Sequence, residues 1–206
     1  SSATEPPVST VTKAIILGAG QGKRLLPLTA ARPKCLLEFS GRTLLSWQLS
    51  RLRIAGVTEA VVVTGFEAET VEAEVAKLDL GPLKVRTLFN PFYAVADNLV
   101  SCWVARSEFA GGTLLLNGDT LFETDIARSL IGAPAADITV TIDRKPTYDH
   151  DDMKVLTDGG ELKAIGKTID RYDAESIGFL RFNTAGAERF VAAVERTLRD
   201  PEGLRF

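Results

Sequence analysis

Ala14-Ile15-Ile16-Leu17-Gly18-Ala19-Gly20-Gln21-Gly22-Lys23-Arg24 is the stretch on which the reading of this chain turns. Its first four residues form an unbroken apolar run that ends in glycine, the pattern of a strand buried on both faces. Gly18, Gly20 and Gly22 then turn the chain within five residues. Glycine lets a backbone come close to a ligand, and successive N–H groups presented in this way make an anion-binding concavity. Lys23 and Arg24 follow at once, and Lys34 comes shortly after in a Pro33-Lys34 pair. Flexible backbone and clustered cations directly after a buried strand point to a polyphosphate ligand. Two common phosphate-binding fingerprints do not fit. A G-x-G-x-x-G run started at Gly18 needs glycine where Lys23 stands, and a P-loop needs one more residue before Gly22-Lys23 and Ser or Thr in place of Arg24.

Outward from this loop, helical and strand periods alternate. Residues 35–39 read as a short strand turned by Ser40-Gly41, 43–55 as a helix, 59–64 as a buried strand and 67–80 as a second amphipathic helix. Residues 84–89 read as a strand, 90–97 as a loop, 98–108 as a helix, and 113–116 as a buried strand running into Asn117-Gly118-Asp119-Thr120. A short helix over 124–131 and a strand over 138–142 follow. This alternation predicts parallel pairing with crossover helices. Beyond it the texture changes: 153–156, 161–166 and 176–182 are strand-like, with a hairpin turn at 158–160, before a final helix over 185–199. The fold class is therefore α/β, a mostly parallel central sheet with a smaller mixed or antiparallel part. Open sheets of this kind bind ligands outside the carboxyl ends of their strands. That places the glycine loop and Asp119 beside one crevice.

Composition narrows the partners. The chain has 206 residues, a 45% hydrophobic content and a formal net charge of −3, which fits one domain with a sizeable core and argues against a nucleic-acid partner. Cys35 and Cys102 lie far apart, without the spacing of a zinc site or a disulfide framework, so a reducing cytoplasm is the expected setting. No apolar stretch reaches the length of a membrane span, and no membrane partner is expected. Residues 1–12 are small and polar and are expected to form a flexible tail, with 13–206 a single domain.

Leu17, Gly20, Gly22, Arg24, Pro27, Thr29, Pro33 and Lys34 stand at the places of a Leu-x-x-Gly-x-Gly-x-Arg-x-x-Pro-x-Thr run followed by Pro-Lys. In this the chain resembles the nucleotidyltransferase family that loads sugar phosphates or phosphocholine onto a nucleotide. The resemblance implies a Rossmann-like three-layer nucleotidyltransferase fold. It implies that Leu17, Gly18, Ala19, Gly20, Gly22 and Lys23, with Gly118, bind the nucleotide. It further implies that Arg24 and Lys34 contact the phosphates and that Asp119 is the ligand of a Mg²⁺ cofactor. Lys167, at the end of a strand in the second part, matches the lysine that meets the substrate phosphate in sugar-phosphate members.

The branch is read from Phe89-Asn90-Pro91-Phe92-Tyr93 and Asp97-Asn98-Leu99-Val100-Ser101-Cys102-Trp103. Sugar-phosphate members carry a stretch rich in glycine and small residues here; this one resembles the phosphocholine cytidylyltransferase relatives. Asn98 is assigned to the nucleotide site, although its side chain equally suits a helix N-cap. A quaternary ammonium is best held by aromatic faces, so Tyr93 and Tyr148, with Lys154 beside an acidic cluster, are assigned to the acceptor. The implied function is CMP transfer from CTP to phosphocholine or a similar small phosphomonoester, releasing pyrophosphate. The alternatives are a sugar-1-phosphate nucleotidylyltransferase using UTP, dTTP or GTP, and a non-catalytic nucleotide-binding regulatory module. The family has a second metal carboxylate in a strand-like segment near its C-terminus. Nothing between the last helix and Phe206 matches it, which leads us to expect a natural chain that continues and supplies that ligand.

Overall fold

The computed structural model describes residues 11–21, 32–95 and 98–200. Strands β1 (Lys13–Leu17), β4 (Glu59–Thr64), β5 (Lys84–Phe89) and β6 (Thr113–Asn117) pair in parallel in the order β5-β4-β1-β6. Helices α1 (Leu44–Ile54), α2 (Ala68–Lys77), α3 (Asn98–Val104) and α4 (Thr124–Ile131) alternate with or follow them, and α5 (Thr184–Arg199) closes the described chain. β1, β4 and β6 are apolar on both faces because both faces are covered. Ile16, Val62 and Leu116 point to one side, against Leu45, Leu49, Leu52, Val71 and Leu130 of α1, α2 and α4. Ile15, Val63 and Leu115 point to the other, against Cys102, Ala187 and Val194 of α3 and α5. The result is the expected three layers.

The expected strand over 35–39 is not formed as such. Pro33 (φ −59°) opens a 3-10 turn over Lys34–Leu36 that buries Cys35 and Leu36. Only Glu38–Phe39 (β2) is extended, and it pairs with Arg42–Thr43 (β3) in a small hairpin. The turn wins because it drives two apolar side chains into the α1 side of the core while leaving Lys34 at the surface of the crevice. Thr43 then caps α1, accepting from the Ser46 N–H at 3.1 Å.

The second part is antiparallel, as its texture predicts. β7 (Ile138–Asp143), β8 (Lys154–Asp158), β9 (Glu161–Gly166) and β10 (Ala174–Phe182) complete the eight-stranded sheet. β10 joins the two parts. Phe179–Phe182 pair with Leu116–Thr113 of β6, and Ala174–Glu175 pair with Val155–Lys154 of β8, while β7 runs along the opposite edge. A bulge between Ser176 and Leu180 separates the two stretches. Gly178 sits in it at φ +76°, and a Cβ there would stand 2.4 Å from the Asn117 amide nitrogen, so no other residue fits. The carboxyl end of β6 and the start of β8 thus flank the bulge on one edge of β10. Among the described residues no helix is long and apolar enough to cross a membrane.

Candidate nucleotide site

Leu17, Gly18, Gly20, Lys34, Cys35, Asn98, Asn117, Gly118 and Asp119 line one pocket of about 100 Å³. It opens at the carboxyl ends of β1 and β6, where an open α/β sheet places its ligand. The two strand ends are stitched together: Gly118 N–H donates to Leu17 O at 2.9 Å. A Cβ on Gly118 would stand 2.6 Å from that carbonyl, so glycine is required for the loop of β6 to come this close to the glycine loop of β1. On the far side, Gly18 N–H donates to Val63 O at 2.9 Å and Phe66 N–H to Ala19 O at 2.9 Å. The expected convergence of Leu17–Gly20 with Gly118-Asp119 is therefore a feature of the backbone itself.

Charge is arranged across the pocket. The Lys34 ammonium pairs with the Asp119 carboxylate, joining the turn after Pro33 to the end of β6. A cation therefore already rests on Asp119. Among the described residues no group of three or more His, Cys, Asp or Glu could hold a metal. An ion at Asp119 would need most of its ligands from phosphate oxygens and water, the usual habit of Mg²⁺. Cys35 forms part of the wall, and burial pushes its thiol up to about 12, so it is a neutral packing group beneath the loop. Gly22, Lys23 and Arg24 lie outside the described residues.

The sequence profile of the nucleotidyl transferase family matches residues 13–161. The chain belongs to this nucleotidyl transferase family. Over 91% of its length it is 24% identical to the CTP:phosphoglutamine cytidylyltransferase of Campylobacter jejuni, spanning 79% of that protein. Over 57% of its length it is 31% identical to the choline-phosphate cytidylyltransferase of Streptococcus pneumoniae, spanning 51% of it. The inositol-1-phosphate CTP transferase of T. maritima shares its fold, with a TM-score of 0.73 at 24% identity over 84% of this chain and 71% of that one.

In this nucleotidyl transferase the remaining assigned residues fall in two places. Asn98, the first residue of α3, lies on the same pocket with its Nδ2 3.5 Å from Asn117 Oδ1. Tyr93 packs on Gly65 and lies beside Phe66 and Phe89, with ring centres 6.4 and 6.5 Å away. The others lie by the β8–β9 hairpin. Lys154 is buried, and its ammonium donates to Asp149 O at 2.8 Å and Lys167 O at 2.9 Å, so it ties the loop before β8 to the end of β9. The Lys167 side chain is exposed beside it. Tyr148 stacks edge-on with Tyr172 at 5.1 Å, and its hydroxyl donates to Asp173 O at 3.1 Å. Lys145 bridges Asp152 at 2.9 Å and Glu175 at 3.1 Å. These bonds raise the Lys145 pKa and hold the Asp152 carboxyl below its usual range.

Sequence reasoning passed over three features of the site. Asn117 and Cys35 line the pocket, and only their adjacency to Asp119 and Lys34 gave a signal. Gln48 holds the Asp119 loop from α1, and in the sequence it is one polar residue among the apolar residues of a helix.

Proposed function

We propose that this protein transfers CMP from CTP to phosphocholine or a similar small phosphomonoester and releases pyrophosphate. The observation that carries this reading is the Lys34–Asp119 pair across a pocket walled by Gly18, Gly20 and Gly118. The names of the Campylobacter and Streptococcus relatives support CTP as the nucleotide, and the Asn90–Trp103 stretch favours a phosphocholine-like acceptor over a sugar phosphate. In this reading the backbone N–H groups of the glycine loop cradle the triphosphate. Lys34, with Arg24, takes up phosphate charge and in doing so releases the Asp119 carboxylate. Mg²⁺, when bound by Asp119, offsets negative charge on the phosphates. Lys167 orients the acceptor.

An acceptor phosphate is already anionic, so the reaction needs no general base. Its oxygen forms a bond to the α-phosphorus as the α–β anhydride bond breaks and pyrophosphate leaves with the electron pair. The protein's work is alignment and charge neutralisation. Pyrophosphate release from a panel of nucleoside triphosphates and acceptors tests this. The expected result is the highest kcat/KM with CTP and phosphocholine. A preference for a sugar 1-phosphate with UTP, dTTP or GTP would transfer the protein to that branch, and no release with any pair would leave a nucleotide-binding module.

A further inference from the structure

Asp119 is held by more than its own strand. Gln48 of α1 is wholly buried, and its amide nitrogen donates to two main-chain carbonyls of the Asp119 loop, Asn117 O at 3.1 Å and Thr120 O at 2.8 Å. These carbonyls lie on either side of Gly118-Asp119. One turn along the same helix, Arg51 donates to Phe122 O at 2.6 Å. From the other side, Thr120 Oγ1 donates to Ile177 O of β10 at 2.8 Å, and Gly118 is pinned to Leu17. The loop is thus clamped from α1, β1 and β10, and Gln48 is the only one of these groups that grips both shoulders of Asp119.

The grip has a cost. The other half of the amide, Gln48 Oε1, is buried with no hydrogen-bond partner among the described residues, and an orphaned buried acceptor is destabilising. An apolar residue would sit more cheaply beside Leu45, Leu49 and Leu52. What an apolar residue cannot do is hold the two carbonyls.

We propose that Gln48 is a positioning residue for the metal carboxylate: it fixes the turn that aims Asp119 at the nucleotide phosphates. The inference rests on Asp119 being the metal ligand of the proposed reaction. Partners that orient a ligand from behind set metal affinity, and their loss typically costs about 10–100-fold.

The test is Mn²⁺ binding followed by the free-ion EPR signal, with an α,β-methylene analogue of CTP present so that no turnover occurs. Wild type, Gln48→Leu and Asp119→Asn are compared. The expected result is that Gln48→Leu weakens Mn²⁺ binding by about 10–100-fold while binding of the analogue without metal and the melting temperature stay close to wild type. If Gln48→Leu does not fold, Gln48→Asn replaces it; the shorter amide cannot span both carbonyls, and the same loss is expected. Mn²⁺ affinity unchanged by either Gln48 variant, but lost in Asp119→Asn, overturns the role of Gln48 alone. Affinity unchanged in Asp119→Asn as well overturns the reading of the site on which it rests.

Discussion

β1 is buried from Ala14 to Leu17, whereas β9 is buried nowhere along Glu161–Gly166. The two strands belong to one sheet and stand for its two halves. In the parallel half the helices cover both faces, and the parts that would meet the nucleotide hang from strand ends that cannot shift without disturbing a close-packed interior. In the antiparallel half Ile138, Leu162 and Ile165 are each at least 40% exposed, and Lys145 bridges Asp152 and Glu175 near its surface. In the proposed reading the nucleotide chemistry belongs to the rigid half, and the acceptor to the half whose surface residues can change at little cost to folding.

The largest effects are expected at the pocket. Asp119→Ala is expected to bring Mg²⁺-dependent pyrophosphate release to background. Lys34→Ala and Arg24→Ala are each expected to lower kcat on the order of 10²–10³-fold, the usual loss for one well-placed electrostatic donor, with melting temperatures near wild type. Near-normal turnover in both lysine and arginine variants would remove the site from the parallel half.

Truncation of an apolar side chain is expected to weigh differently in the two halves. Ile16→Ala in β1 is expected to cost about 2–5 kcal/mol in urea denaturation, and Ile165→Ala, on a residue 44% exposed, about 0.5 kcal/mol or less. Equal losses would mean that the two halves share one core after all.

The smallest effect concerns the end of the parallel half away from the pocket. There Glu108 accepts from Arg86 at 2.8 Å and pairs with Lys13. The bond from Arg86, then that from Lys13, lowers the Glu108 carboxyl to about 2 from an ordinary 4.5. A depressed carboxyl stabilises the fold above its unfolded value and loses that contribution as pH falls through its folded one. Glu108→Gln should therefore cost on the order of 1–2 kcal/mol at pH 7, given the half-exposed Arg86. The gap to wild type should close between about pH 4.5 and 2, with kcat unchanged. A gap that stays constant across that window would show that the carboxylate charge is not what stabilises this end.

Legibility in the sequence follows the same division. The apolar runs 14–17, 60–63 and 114–116 admit few readings once glycines and helical periods flank them, and β4, β5, β9 and α4 fall within a residue of where the periods put them. Cys35-Leu36-Leu37 misleads because an apolar triplet serves a buried 3-10 turn as well as a strand. The sequence places β10 late, at 176, because Glu175 looks like a solvated residue; its partner Lys145 lies thirty positions away. Lys154 looks like a substrate-facing cation, since the carbonyls of Asp149 and Lys167 that surround it leave no mark in a sequence. Gln48 is hidden for the same reason.

Chain order gives β10 a further consequence, one of timing. The four parallel strands are complete when Asn117 leaves the ribosome, but the outer edge of β6 has no neighbour until Phe179–Phe182 arrive to pair with it. During that interval Thr113–Leu116, four buried residues of which three are leucine, present an open apolar edge, the kind of surface that recruits other nascent chains. The parallel half is thus built first and the edge of β6 covered last, so slow translation between residues 117 and 179 prolongs the exposure of that edge.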